Sequence, residues 1–326
     1  MHKILIDSLS ITWKYDNVGE LYELLGLQDA EMQPKKTRWY DGGEYIDGVL
    51  IAYNFNDERE ISDTFLNISG KGCRTVEQLN PGFDWFEFLY RYDSQIRDKT
   101  AHISRIDIAC DVDDGSITYN MIYKYSKSQL YVSRAKELPD LREMRTEVVY
   151  YGSEKSNRLL RIYNKALEQG IPDTDWMRFE FQFRNDSATS WYLNWCEHRD
   201  IGKLYAGVMI DFLRFVSPPR GTSIKTIKQH SNQHRLPTVT WWSDFIGAAE
   251  RIPQLYLPGQ DYTLDRLEHY LEHNVASSLK AYMIAHDGDI GKLLDAVKHC
   301  KLNAKQKLML AELDMMRAEQ VGKQIE

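Results

Sequence analysis

The chain has 326 residues, 43% of them hydrophobic and 12% aromatic, with a formal net charge of −7. This length holds two domains, or one large domain with an appendage, and the apolar share excludes an intrinsically disordered chain. The acidic balance excludes a general nucleic-acid coat, because non-specific DNA affinity grows with the phosphates that Lys and Arg neutralise. Cys73, Cys110, Cys196 and Cys300 stand far apart with no CxxC pair, so neither a disulfide framework nor a zinc site is indicated and a reduced compartment is expected. The opening apolar run is broken at Asp7 and no later stretch reaches membrane-span length, so a soluble, cytoplasmic protein with no membrane partner is expected.

In chain order, Lys3 to Trp13 alternates as an opening strand, and Gly43 to Asn54 reads as a hairpin turning at Asp47-Gly48. Thr64 to Ser69 follows as a strand and ends in a small, polar turn, Ser69-Gly70-Lys71-Gly72-Cys73-Arg74. Trp85, Phe88, Leu89 and Tyr92 recur at helical spacing behind Pro81-Gly82, which predicts one amphipathic helix from Asp84 to Arg97. His102 to Val112 is a strand, Ser116 to Tyr125 a helix, and Arg145 to Tyr151 pairs with Leu159 to Lys165 across a polar turn. Trp176 to Arg184 completes the strands, with Phe179, Phe181 and Phe183 facing a core. Asp200 to Phe215 reads as helix, and Ser217-Pro218-Pro219-Arg220-Gly221 breaks the chain. Helices are then expected at Trp241 to Ile252, Thr263 to Ile284, Asp289 to His299 and Ala304 to Glu319. This order predicts an α+β fold: an antiparallel sheet with helices packed on one side over residues 1–216, a basic linker over 217–240, and a helical accessory region over 241–326.

Three segments carry the chemistry. Arg105-Ile106-Asp107-Ile108-Ala109-Cys110-Asp111 and Arg178-Phe179-Glu180-Phe181-Gln182-Phe183-Arg184 each put polar groups on one strand face and apolar groups on the other. Run as a strand, Arg161 to Lys165 places the phenol of Tyr163 between two cations, an arrangement suited to a phosphate. Asp107 and Asp111 share a face but lie about 13 Å apart along the strand, too far to hold one ion. Asp107 with Glu180 is therefore the expected pair for Mg2+ or Mn2+, oxygen ligands suiting hard cations. An inward charge on an otherwise apolar strand needs such a reason. Ion pairs with Arg105, Arg178 or Arg184 are the ordinary alternative, and for Asp111 a solvated turn is an equal one. Arg161, Lys165 and a metal would all favour the phenolate of Tyr163 for attack on phosphorus. With 20 tyrosines in the chain, ordinary packing is the default for any one of them, and Tyr150, Tyr151 and Tyr123 stay open as alternatives.

Weaker signals surround these. Between Asp211 and Asp244 there is no acidic residue, whereas Arg214, Arg220, Lys225, Lys228 and Arg235 all fall there; such an arm suits a DNA contact or a solvated linker equally. Lys71 and Arg74 could assist a phosphate at the Gly70–Gly72 turn, which lacks the spacing of an ATP loop. His269 and His273 read as a solvated helix face, Gln229 to His234 as DNA contact or loop, and Trp241-Trp242 as core in preference to a base-stacking pair.

Taken in order, Ile6-Asp7-Ser8-Leu9-Ser10-Ile11-Thr12, the Ser69–Arg74 and Arg105–Asp111 motifs, Tyr150-Tyr151-Gly152-Ser153, Arg161-Ile162-Tyr163-Asn164-Lys165 with Glu168-Gln169, and Arg178–Arg184 resemble the Rep_trans family. The resemblance runs over about residues 3–215. That family comprises replication initiators of Gram-positive rolling-circle plasmids, related filamentous-phage initiators, and relaxases of some integrative conjugative elements. The resemblance implies a relative of the rolling-circle nickase fold and a sequence-specific, metal-dependent enzyme that nicks one strand at an origin and later rejoins it. It makes Tyr163 the nucleophile, beside Arg161 and Lys165, and forms a 5′-phosphotyrosyl intermediate. The sequence has no His-hydrophobe-His triplet of the commoner rolling-circle nickases, so carboxylates, Asp107, Glu180 and Asp111, would hold the Mg2+ or Mn2+. Lys71, Arg74, Arg105, Arg178, Arg184, Arg220, Lys225 and Lys228 are the expected DNA contacts. The implied partners are origin DNA, single-stranded or as an extruded hairpin, a second copy in a homodimer, and a host helicase. A relaxase of an integrative conjugative element is one alternative, and a non-catalytic DNA-binding regulator on the same scaffold is another. A metal-dependent phosphodiesterase acting through water is a third.

Overall fold

The computed structural model describes residues 2–28, 30–137, 139–142, 146–171, 174–217, 233–252 and 275–302, with 264, 268, 271, 310 and 313. Its strands are β1 (His2–Trp13), β2 (Gln33–Pro34), β3 (Gly42–Ile46), β4 (Val49–Phe55), β5 (Ile61–Ile68), β6 (Ala101–Val112), β7 (Tyr131–Ser133), β8 (Asp140–Arg142), β9 (Val148–Tyr151), β10 (Arg158–Asn164), β11 (Met177–Arg184) and β12 (Leu213–Phe215). Ten of them form one sheet in the order β2-β3-β4-β5-β1-β6-β11-β10-β9-β8, and β12 pairs with β7. The pairings along this sheet are antiparallel. The β3–β4 turn is Asp47-Gly48, both residues at positive φ (41° and 92°), the conformation a two-residue hairpin loop demands.

The helices are α1 (Val18–Leu24), α2 (Gly70–Leu79), α3 (Trp85–Tyr90), α4 (Asp93–Asp98), α5 (Tyr119–Lys127), α6 (Lys165–Glu168), α7 (Asp186–His198), α8 (Ile201–Phe212), α9 (Thr240–Glu250), α10 (Ala276–Ala285) and α11 (Gly291–His299). The chain divides into two compact units. One comprises residues 1–18, 31–75 and 92–257; the other comprises 19–30, 76–91 and 258–326. The first unit contains the sheet and takes in α9. In the second, Leu21, Leu24, Leu25, Leu27, Val76, Phe83, Trp85 and Phe88 are buried, and the Trp85 indole N–H donates to Glu77 at 2.7 Å.

Alternation along β6, β10 and β11 sorts their side chains. Ile106, Ile108 and Cys110, Phe179, Phe181 and Phe183, and Leu160 and Ile162 all turn to one face and are buried. Aromatic pairs from the helices close over that face: Phe245 of α9 stacks on Phe179 at 4.4 Å, Phe212 of α8 meets Phe181 at 4.9 Å, and Trp191 of α7 stacks on Phe183 at 4.9 Å. Full burial of such rings is the largest favourable contribution a side chain makes to folding. Trp242 is core, as expected. Gly202 is where α8 meets the end of α9, for a Cβ there would lie 2.1 Å from the Ile252 carbonyl oxygen.

Several expected elements differ in detail. The Ser69–Arg74 segment is not a turn but the start of α2; its glycines weaken the helical signal, yet a Cβ at Gly72 would sit 2.3 Å from the Gly48 carbonyl oxygen. The single helix expected over Asp84–Arg97 is two, α3 capped by the Asp84 carboxylate and α4 following Tyr92, and the break falls where the chain passes from one unit to the other. The helix expected to reach Phe215 is capped by Asp200 and ends at Phe212, after which the chain extends as β12. Of the last expected helices, residues 263–274, apart from isolated positions, and nearly all of 304–319 lie outside the described residues.

Candidate active site

The face of the sheet opposite the aromatics holds the charged residues. Residues directly opposite on neighbouring strands share a face, and the register sets Tyr163 against Arg178 and Asp111, Arg161 against Glu180 and Ala109, Gln182 against Asp107, and Arg184 against Arg105. On β1, Lys3 and Leu5 pair with Asp111 and Ala109 of this face, and Asp7, next in the same alternation, joins the cluster where the ladder is interrupted between Ile6 and Ser8. Three strands far apart in sequence thus bring Asp107, Asp111, Glu180 and Tyr163 together, as the sequence reading expects.

Tyr163 is 6% exposed, yet its surroundings are charged. Its hydroxyl donates to Glu180 Oε2 at 3.0 Å. The Arg161 guanidinium lies 5.6 Å and the Lys165 ammonium 5.7 Å from its ring centre, so both cations lie close to the phenol. Lys165 gets there by another route than an extended strand, because β10 ends at Asn164 and Lys165 opens α6, where its ammonium also pairs with Glu168. Burial, reinforced by the Glu180 carboxylate, holds the Tyr163 phenol above its ordinary pKa.

Each carboxylate has a guanidinium partner. Arg178 clasps Asp111 with Nε at 2.6 Å and Nη2 at 2.8 Å, and reaches Asp7 with Nη1 at 2.7 Å. Arg105 Nε donates to Asp107 at 2.9 Å, and Gln182 Nε2 donates to the same carboxylate at 3.3 Å. Arg161 Nη2 donates to Glu180 Oε1. Burial, then Asp7 and Asp107, push the Glu180 carboxyl above the ordinary carboxylate range, while Arg161 pulls it down. Because a guanidinium and a phenol both donate to Glu180, we assign it the ionised, acceptor-only form.

Among the described residues, two buried polar atoms of this face have no hydrogen-bond partner: Arg161 Nε, a donor, and Gln182 Oε1, an acceptor. Such atoms are uncommon in folded proteins and mark strain or a ligand site. Sequence reading missed Gln182 and Asp7. Both could have been found by alternation, Gln182 as the polar alternate of Glu180 and Asp7 as that of Lys3 and Leu5, which pair with Asp111 and Ala109.

The remaining candidates are scattered more widely. Tyr150 shares the face of Tyr163, opposite Arg161, whereas Tyr151 lies on the aromatic face against Ser126, and Tyr123 is on α5 beside Lys127. Arg184 is half-buried with no ion-pair partner among the described residues. Arg178 is an internal partner of two aspartates and no surface cation. Lys71 is exposed and paired with Asp47, and Arg74 donates to the Ile6 carbonyl at 2.8 Å. Arg220, Lys225, Lys228, Gln229, His230, His269 and His273 lie outside the described residues. Among the described residues no group of three or more His, Cys, Asp or Glu side chains could hold a metal ion, and no helix is long and apolar enough to cross a membrane.

The family model for replication initiation factors matches residues 101–297, more than half of the chain. The candidate DNA relaxase NicK of Bacillus subtilis (strain 168) is 25% identical over 332 aligned residues, which cover 94% of this chain and 88% of NicK. The rolling circle replication initiator protein from Geobacillus stearothermophilus shares the fold with a TM-score of 0.64, at 22% identity over 80% of this chain and 100% of that one.

Proposed function

The chain belongs to the replication initiation factor family, and on that premise we propose that it cuts one strand of origin DNA with Tyr163 and rejoins it. The observation that carries this reading is the buried Tyr163–Glu180 hydrogen bond with the unpartnered Arg161 Nε on the same face. A phenol with its proton held by a carboxylate, beside a guanidinium N–H that lacks an acceptor, suits a nucleophile awaiting a phosphate. Glu180 Oε2 holds the proton that Tyr163 Oη must lose. As the Oη–P bond forms, the phenolic proton passes to Glu180 and the bond from phosphorus to the 3′ oxygen breaks, leaving a 5′-phosphotyrosyl strand and a 3′ oxygen that takes up a proton from water. Arg161 and Lys165 lie where they can balance the charge on the phosphoryl oxygens. Reversal of the step rejoins the strand.

The donor chemistry also fits a divalent ion. Asp107 and Glu180 are diagonal neighbours on β6 and β11, and the unpartnered Gln182 Oε1 lies on the same face. Mg2+ is commonly held by one or two carboxylates, with substrate phosphate and water completing its shell. Asp107, Glu180 and Gln182 would hold the ion, with Arg105 and Arg161 giving up their places on the two carboxylates, as Arg178 would have to on Asp111. When bound, it would polarise the scissile phosphate.

The test is a covalent-adduct assay with Mn2+ and supercoiled plasmid carrying the cognate origin. We expect nicked circles with protein on the 5′ end, lost on chelation and lost in Tyr163→Phe. An unchanged adduct in that variant would move the role to Tyr150, the understudy on the same face. The similarity to NicK over nearly the whole chain favours a second reading, with the same chemistry at a transfer origin of a conjugative element. A homodimer and recruitment of a host helicase belong to the proposal as partners of the initiator.

A further inference from the structure

We propose that residues 35–45 form a second DNA-binding site, separate from the Tyr163 cluster, which stacks unpaired bases on Trp39. This rests on the reading of the protein as one that acts on DNA, and adds where it grips the strand. Residues 32–40 contain Lys35, Lys36 and Arg38 and no acidic residue, within a chain of net charge −7. The Trp39 side chain is 75% exposed, with the Arg38 guanidinium 4.9 Å from its ring centre. Lys35 lies 5.4 Å from the ring centre of Tyr45, also exposed, and Tyr40 stacks on Phe65 at 5.1 Å to anchor the segment. Among the described residues, no carboxylate pairs with Lys35, Lys36 or Arg38. The nearby Asp41 is turned to the backbone N–H of Phe55 at 3.0 Å.

An isolated exposed tryptophan needs no special explanation. Here Arg38 lies over its ring and Lys35 over that of Tyr45, and aromatic rings interleaved with cations are the recurring platform for single-stranded DNA, rings stacking bases while cations meet phosphates. One residue of the patch also lies on the sheet face of the candidate active site. Tyr45 lies opposite Leu50, Leu50 opposite Asn67, Asn67 opposite Ser10, and Ser10 opposite Arg105, so Tyr45 shares the sheet face of Arg105 and Asp107. That face winds with the twist of the sheet, and a strand following it would wrap round the β-sheet between patch and tyrosine.

Fluorescence anisotropy with a labelled oligothymidylate of about twenty nucleotides tests this, a length exceeding usual single-strand site sizes. Trp39→Ala should weaken binding by about 5- to 150-fold, the loss of one base stack. Arg38→Ala should lower the salt slope by about one. The same Trp39→Ala protein should bind a blunt duplex of equal length almost unchanged. Wild-type binding of oligothymidylate by the Trp39→Ala, Arg38→Ala double variant overturns the proposal, as does equal weakening on single strand and duplex. Oligothymidylate carries no origin, so the anisotropy reads binding without cleavage, and the adduct assay on the wild-type protein is run in parallel. Failure of the nicking reading would therefore appear in the adduct assay alone, and failure of this proposal in the anisotropy alone.

Discussion

The two faces of β11 differ residue by residue. Phe179, Phe181 and Phe183 stack against α7, α8 and α9, whereas Arg178, Glu180 and Gln182 meet charged partners from β1, β6 and β10. Both sets are buried. One gains from removal of apolar surface from water; the other carries a desolvation penalty that only close pairing offsets. A strand therefore can set chemistry and stability one residue apart, provided every buried charge has a partner within reach.

Tyr163→Phe is the substitution with the largest expected effect and the sharpest break between the faces. Adduct formation should vanish, while urea unfolding shows a loss of about 1.5–3 kcal/mol, the worth of one hydrogen bond to a charged group. Glu180 keeps its Arg161 partner in that variant. A large loss of stability instead would mean that the phenol is a structural group and that the charged face is a core of another kind.

Next come one substitution from each face. Phe181→Ala removes a fully buried ring and should destabilise by about 3–5 kcal/mol, while the folded fraction still forms adduct. Arg178→Ala should destabilise by a similar amount, about 3–5 kcal/mol, because it strands the Asp7 and Asp111 carboxylates in a buried setting. Similar unfolding midpoints from such different chemistry would show that the charged face supports the fold as well as the reaction. A near-neutral Arg178→Ala would place Arg178 with the DNA-facing cations, as its sequence position suggests.

The alternation Arg-Phe-Glu-Phe-Gln-Phe-Arg made β11 legible, and the same period of two placed Tyr163 beside Arg161 and across from Glu180. What stayed hidden depended on register between distant strands. Arg178 looks like a DNA contact until β6 is laid beside it and Asp111 falls opposite. Lys165 looks like the next alternate of a strand, though the chain turns at Asn164, whose side chain caps α6 by accepting from Leu167 N–H. Helix α7 escaped notice because it opens on the small, polar run Asp186-Ser187-Ala188-Thr189-Ser190, which reads as a turn, before Trp191 and Trp195. Ser69–Arg74 escaped because glycine signals a turn, whereas here it lets a helix start pass close to the Gly48 backbone.

Tyr151→Phe is the smallest perturbation and tests the comparison from the other side. Tyr151 is fully buried on the aromatic face, its hydroxyl 2.5 Å from Ser126 Oγ. Its neighbours are Tyr131 at 5.3 Å and Phe215 at 6.2 Å. Burial holds its phenol above the ordinary range, and no cation is among the causes that lower it. Ser126 keeps its own bond to the Ile122 carbonyl at 2.6 Å when the Tyr151 hydroxyl is removed, so no buried donor is stranded. The expected loss is about 1 kcal/mol in urea unfolding, with adduct yield unchanged. A tyrosine one residue along from Tyr150 would then differ from Tyr163 by face alone, and loss of adduct in Tyr151→Phe would overturn the assignment of chemistry to the charged face.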